Sequence, residues 1–118
     1  MANEKIEPII IENPDTGKRY TIEYSRATAK LLERETGVNL LQLQALLKKA
    51  PMDTVSNLFY YGFLMHHEGE IDQEETDDIL FDEMGMSEGL IESLVTLYAQ
   101  AYSSMKVDSK NAKWVVKK

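Results

Sequence analysis

The sequence predicts a mainly α fold. An N-terminal β-hairpin, about residues 6–24, is followed by about five helices in a small helical bundle and then by a flexible basic C-terminal tail. Three observations predict it. Residues 53–67, DTVSNLFYYGFLMHH, are the densest apolar run, and Val55, Leu58, Phe59, Gly62 and Phe63 recur at the spacing of one helix face. Tyr20, Ile22 and Tyr24 alternate with Arg19, Thr21 and Glu23, the period of a half-buried strand. Between Ser25 and Ser87, capping residues and glycine stops recur at helix-length intervals.

In the hairpin, Ile9 and Ile11 offer the set facing Tyr20 and Ile22, and Asn13-Pro14-Asp15-Thr16-Gly17 supplies the turn. Pro14 suits the first central turn position, Asp15 the second, and Gly17 takes a positive φ to resume pairing. Pro8 places the start of the first strand at an edge or bulge. A lone hairpin is marginal in water, so it must lie on the helices or pair with another chain.

Ser25 caps a helix over 26–36, with Ala27, Leu31 and Leu32 inward and Gly37 as its stop. Asn39 caps a second helix that ends at Ala50, because Pro51 disfavours helical geometry in the residue before it. Lys48 and Lys49 fall in its last turn, where the helix dipole favours cations. The central helix begins near Pro51 to Asp53. Tyr60, Tyr61, Leu64 and Met65 make its remaining faces largely apolar, so it is either buried all round or meets a partner on one side. Gly62 inside it costs roughly 1 kcal/mol against Ala and points to a close helix crossing or a contact site. Glu68-Gly69-Glu70 breaks the pattern. Asp72 and Glu75 form a capping-box-like start for a helix over 73–84, with Ile79, Leu80 and Met84 inward and Gly85 ending it. Ser87 caps the last helix, whose stripe is Ile91, Leu94, Val95, Tyr98, Ala101, Tyr102 and Met105.

The 118 residues suit one domain over 1–105, with residues 106–118 a Lys-rich tail. The absence of Cys removes disulfides, thiolate ligands and a Cys nucleophile. Neither a signal-peptide h-region nor an apolar stretch near the ~18 residues of a membrane span occurs, which predicts a soluble intracellular protein. Charge is unevenly placed. Residues 1–49 carry +1, residues 50–105 carry −12 with no Lys or Arg, and residues 106–118 carry +4, for a net −7. The acidic faces serve solubility, or the acidic body pairs head to tail with the basic tail. Trp114, Val115 and Val116 form an apolar cluster in that tail, either a harmless end or a docking peptide.

No catalytic or cofactor signature emerges. His66 and His67 are adjacent on a helix and point ~100° apart, so they do not chelate one ion as an i, i+4 pair does. An EF-hand starting at Asp72 fails at its sixth position, where Asp77 replaces the required Gly. Ser87, Ser103 and Ser104 lack a nucleophile-elbow setting, and no phosphate-binding Gly loop is present. One basic segment with one aromatic is too little for a nucleic-acid groove. The expectation is a non-enzyme with no cofactor, no metal, no nucleic acid and no membrane among its partners.

Read in order, Ile22-Glu23-Tyr24-Ser25-Arg26-Ala27-Thr28 entering a helix, then Pro51, then Asn57-Leu58-Phe59-Tyr60-Tyr61-Gly62-Phe63-Leu64-Met65-His66-His67, and a late Leu94–Tyr102 helix resemble the tail assembly chaperones of long non-contractile-tailed bacteriophages of siphovirus type. The resemblance covers most of residues 18–102. It is most specific in FYYGFLMHH and does not extend to residues 106–118. It implies a protein that binds the tape measure protein in the host cell cytoplasm, keeps it soluble until tail-tube subunits polymerise around it, and is absent from the mature virion. A frameshifted longer form often recruits the tail-tube protein in such systems, and homo-oligomers are in keeping with the resemblance.

Such a chaperone needs apolar surface for its client and a charged exterior to keep the complex in solution. Six Met residues suit loosely specified contacts. Tyr60, Tyr61, Leu64 and Met65, with the exposed edge of the last helix and with Trp114, are the candidate partner-binding residues; burial inside the monomer is the other use of the same side chains. Two rivals belong to other classes. An acidic DNA-mimic or inhibitor protein binding a basic partner would use carboxylates spaced like phosphates, although the acids here cluster in 68–83. A carboxylate-based hydrolase or metal enzyme is the second.

Overall fold

Two short antiparallel strands open the fold, β1 (Ile9–Glu12) and β2 (Arg19–Ile22). Helices α1 (Arg26–Thr36) and α2 (Leu43–Lys49) follow, the latter entered through a 3-10 turn at Leu40–Gln42. Next come α3 (Pro51–His67), α4 (Gln73–Asp77), a π-helical continuation over Asp78–Met84, and α5 (Glu88–Ser103). This computed structural model describes residues 7–103 and Trp114. The remainder of the tail and Met105 lie outside the described residues.

The hairpin pairs within the chain, with Ile9 opposite Ile22 and Ile11 opposite Tyr20, as the alternation predicts. Its turn is held locally. Asn13 Oδ1 accepts from the Asp15 N–H at 2.9 Å, and the Gly17 N–H donates to the Asn13 carbonyl at 2.8 Å with Gly17 at φ 76°.

Ser25 and Thr28 exchange hydrogen bonds as a capping box at the start of α1, and Gly37 closes it at φ 83°. The core-facing set is Thr28, Ala29 and Leu32. Ala27 is exposed and Leu31 only half-buried, which corrects the expected inward set. Burial of Leu32 fixes the helix phase, and the i, i+4 pair Ala27 and Leu31 falls on the flank.

At the centre is α3, packed against β2, α1, α2, α4 and α5. Its predicted face is fully buried: Val55, Leu58, Phe59 and Phe63 expose nothing to solvent. The cost of a glycine inside the helix points to a close helix crossing or a contact site at Gly62; the element that approaches there is a strand, not a helix. A Cβ at Gly62 would overlap Ile22 Cγ2 of β2 and lie 3.4 Å from the Tyr24 hydroxyl oxygen. The backbone uses that proximity. The Glu23 N–H donates to the Gly62 carbonyl at 2.9 Å, and one turn further on the Thr21 N–H donates to His67 Nε2 at 3.0 Å. The β2 edge that faces away from β1 is thus closed by a helix.

Asp72 and Glu75 form the expected capping box of α4. After Asp77 the helix widens, and the Gly85 N–H reaches back five residues to the Leu80 carbonyl at 2.9 Å. Leu80 is buried as expected. Thr76 joins it, its hydroxyl donating to the Gln73 carbonyl at 3.0 Å, whereas Ile79 is half-buried and Met84 exposed. The widened turn rotates residues 79 and 84 off the closed core face. Ser87 Oγ accepts from the Leu90 N–H at 3.2 Å and starts α5, whose buried line is Leu94, Leu97, Tyr98 and Ala101. Among the described residues no helix is long and apolar enough to cross a membrane.

Candidate functional site

The sequence-predicted surface lies on the later half of α3, and the structure divides it. Tyr61 is 6% exposed, and its hydroxyl donates to Glu35 Oε1 of α1 at 2.6 Å. Burial, and then the hydrogen bond to the Glu35 carboxylate, push that hydroxyl above the usual phenol range. Tyr61 therefore serves the α1–α3 contact. Tyr60 and Leu64 are half-buried at the core margin, and Met65 is 42% exposed. Tyr60 and Leu64, spaced i, i+4, share one side of α3, Met65 lies about 100° round from Leu64, and the monomer leaves all three partly open. Trp114 is 90% exposed.

His66 and His67 serve the fold. His66 Nε2 donates to Glu23 Oε1 at 2.9 Å. His67 accepts from Thr21 on Nε2, so its proton sits on Nδ1, which donates to Glu70 Oε1 at 3.1 Å. Its ring also meets Tyr20 edge-on at 5.1 Å. No group of metal-ligating side chains capable of holding an ion occurs among the described residues.

Sequence reasoning missed two arrangements. The first is a polar clamp between α3 and α4. The Ser56 hydroxyl donates to Asp77 Oδ1 at 2.5 Å, while Gln73 Nε2 donates to Ser56 Oγ at 3.1 Å and to Asn57 Oδ1 at 2.9 Å. The second is an open groove of about 590 Å³ between the hairpin and the π-helical segment. Its apolar floor includes Ile11, Tyr20, Ile71, Ile79 and Met84. The signal was present in part, since Ile79 and Met84 were expected to point inward; they point into this groove.

A single hub helix, a hairpin hydrogen-bonded to it through the Glu23 and Thr21 N–H groups, and two apolar surfaces left partly open make up a small, mainly helical protein. The chain belongs to the family described as Domain of unknown function (DUF5055), whose model matches residues 1–118. No curated protein and no solved structure matches it.

Proposed function

We propose that this protein is a tail assembly chaperone of a long non-contractile-tailed bacteriophage. It binds the tape measure protein without enzymatic chemistry, keeps it soluble in the host cytoplasm, and helps bring tail-tube subunits to it. It is not retained in the finished virion. The reading rests on the resemblance over residues 18–102. The observation that carries it furthest is that the helix bearing the most specific resemblance, Asn57–His67, leaves Tyr60, Leu64 and Met65 partly open. An amphipathic client helix can lay its apolar face against these side chains, and the net charge of −7 keeps the pair dispersed.

Co-expression with the tape measure protein tests this. The wild-type chain is expected to raise the soluble client fraction several-fold, and a Leu64→Gln/Met65→Glu variant to lose most of that effect with its helical circular dichroism intact. Tyr61 is a poor choice for the test, because its loss removes the hydrogen bond to Glu35. No solubilisation by the wild-type chain, or full protection by the variant, would overturn the assignment.

A further inference from the structure

The groove between the hairpin and the π-helical segment has a chemistry of its own. Four carboxylates line it, Glu12, Glu75, Asp78 and Glu83, against a single cation, Lys18. Glu12 is also paired with Arg19 at 3.0 Å, and the Glu75 side chain accepts from the Asp72 N–H. Asp78 and Glu83, both exposed, are therefore the rim charges best placed to meet an incoming cation. An apolar floor under an acidic rim selects a bulky apolar anchor flanked by positive charge. The sequence contains one such segment. Lys113-Trp114-Val115-Val116-Lys117-Lys118 carries the only Trp of the chain between lysines, in a tail of net +4.

We propose that the groove receives the Trp114 segment of a second copy of this chain. The second copy is specified because Trp114, at 90% exposed, is not seated on its own chain. About 590 Å³ lies within the size range of sites that enclose a bulky apolar group. The lysines either side of Trp114 then face Asp78 and Glu83. Self-association through this contact stands independently of the chaperone reading, since it uses neither Leu64 nor Met65.

Because Trp114 is the sole tryptophan, the full-length chain carries its own probe. Selectively excited Trp emission and its quenching by acrylamide are measured over a protein concentration series, in parallel with sedimentation. The expected result is a blue shift and growing protection as concentration rises, with association weakening in high salt. Charge reversal at the rim, Asp78→Lys/Glu83→Lys, should weaken association about tenfold or more. Mixing that variant with Lys113→Glu/Lys117→Glu chains should restore it. Circular dichroism separates loss of docking from loss of fold, and Trp114→Ala in an otherwise native chain abolishes association without touching the groove. Trp114 emission and quenching that never change with concentration would overturn the proposal. So would association that neither Trp114→Ala nor rim reversal weakens.

Discussion

Replacing Gly62 by Ala isolates the contact on which the hairpin depends. In an exposed helix the change would stabilise by roughly 1 kcal/mol through helix propensity. Here the new methyl would overlap Ile22 Cγ2, which belongs to a β-branched side chain buried completely in β2. That methyl is fixed by χ1 and does not swing aside. Relief requires β2 to move away from α3, which lengthens the 2.9 Å bond from the Glu23 N–H to the Gly62 carbonyl. Overpacking costs about 1–3 kcal/mol and a weakened hydrogen bond about 1 kcal/mol. These outweigh the propensity gain and leave a net loss of about 1–3 kcal/mol. Urea denaturation should show a lower midpoint at unchanged m-value, and Tm should fall by on the order of 10 °C. Ile22→Ala removes the opposing methyl, so Gly62→Ala in that background should cost little, giving a coupling energy of at least ~1 kcal/mol. A Gly62→Ala chain as stable as the wild type would refute the reasoning, because propensity would then have prevailed over the clash.

Two further outcomes follow from half-buried and buried polar groups. His67→Leu deprives the Thr21 N–H of its acceptor; stability should drop by about 1–3 kcal/mol, and hydrogen exchange at the Thr21 amide should accelerate more than at Glu23. Tyr24 and Tyr98 are held above the ordinary phenol value of 10.0 chiefly by burial, so the folded state binds their protons more tightly than the unfolded one. Their contribution is intact below pH 10 and is lost as pH rises beyond it, at about 1.4 kcal/mol per pH unit for each tyrosine. Alkaline titration of stability should become shallower by one tyrosine in Tyr98→Phe, and an unchanged slope would count against its burial in the protonated form.

The parts legible in the sequence are those whose physics is local. Ser25, Asn39, Asp72 and Ser87 each cap a helix start with a side chain and a backbone N–H three residues away, and the hairpin turn closes on itself within residues 13–18. The buried face of α3 was also legible, because five apolar or small residues at helical spacing have few other uses. What escaped depends on distant partners. Tyr61 suits a client surface or the monomer core equally, and its hydrogen bond to Glu35, 26 positions earlier, is invisible to any local reading. Nothing local distinguishes a glycine that admits a strand from one that admits a helix. The π-helical widening after Asp77 turned Ile79 and Met84 away from the closed core and toward residues of the hairpin. The groove exists only because segments 11–20 and 71–84 meet, so no window of the sequence contains it.

The hairpin's one-sided closure limits how sheets of this protein can extend. With Thr21 and Glu23 already donating to α3, the backbone that a guest strand finds unclaimed among the described residues of the hairpin lies beyond β1. Two molecules that joined there would make a ribbon four strands wide, capped at both ends by their own helices. Stacking of this kind terminates at a pair, so fibril growth along that route has nowhere to go.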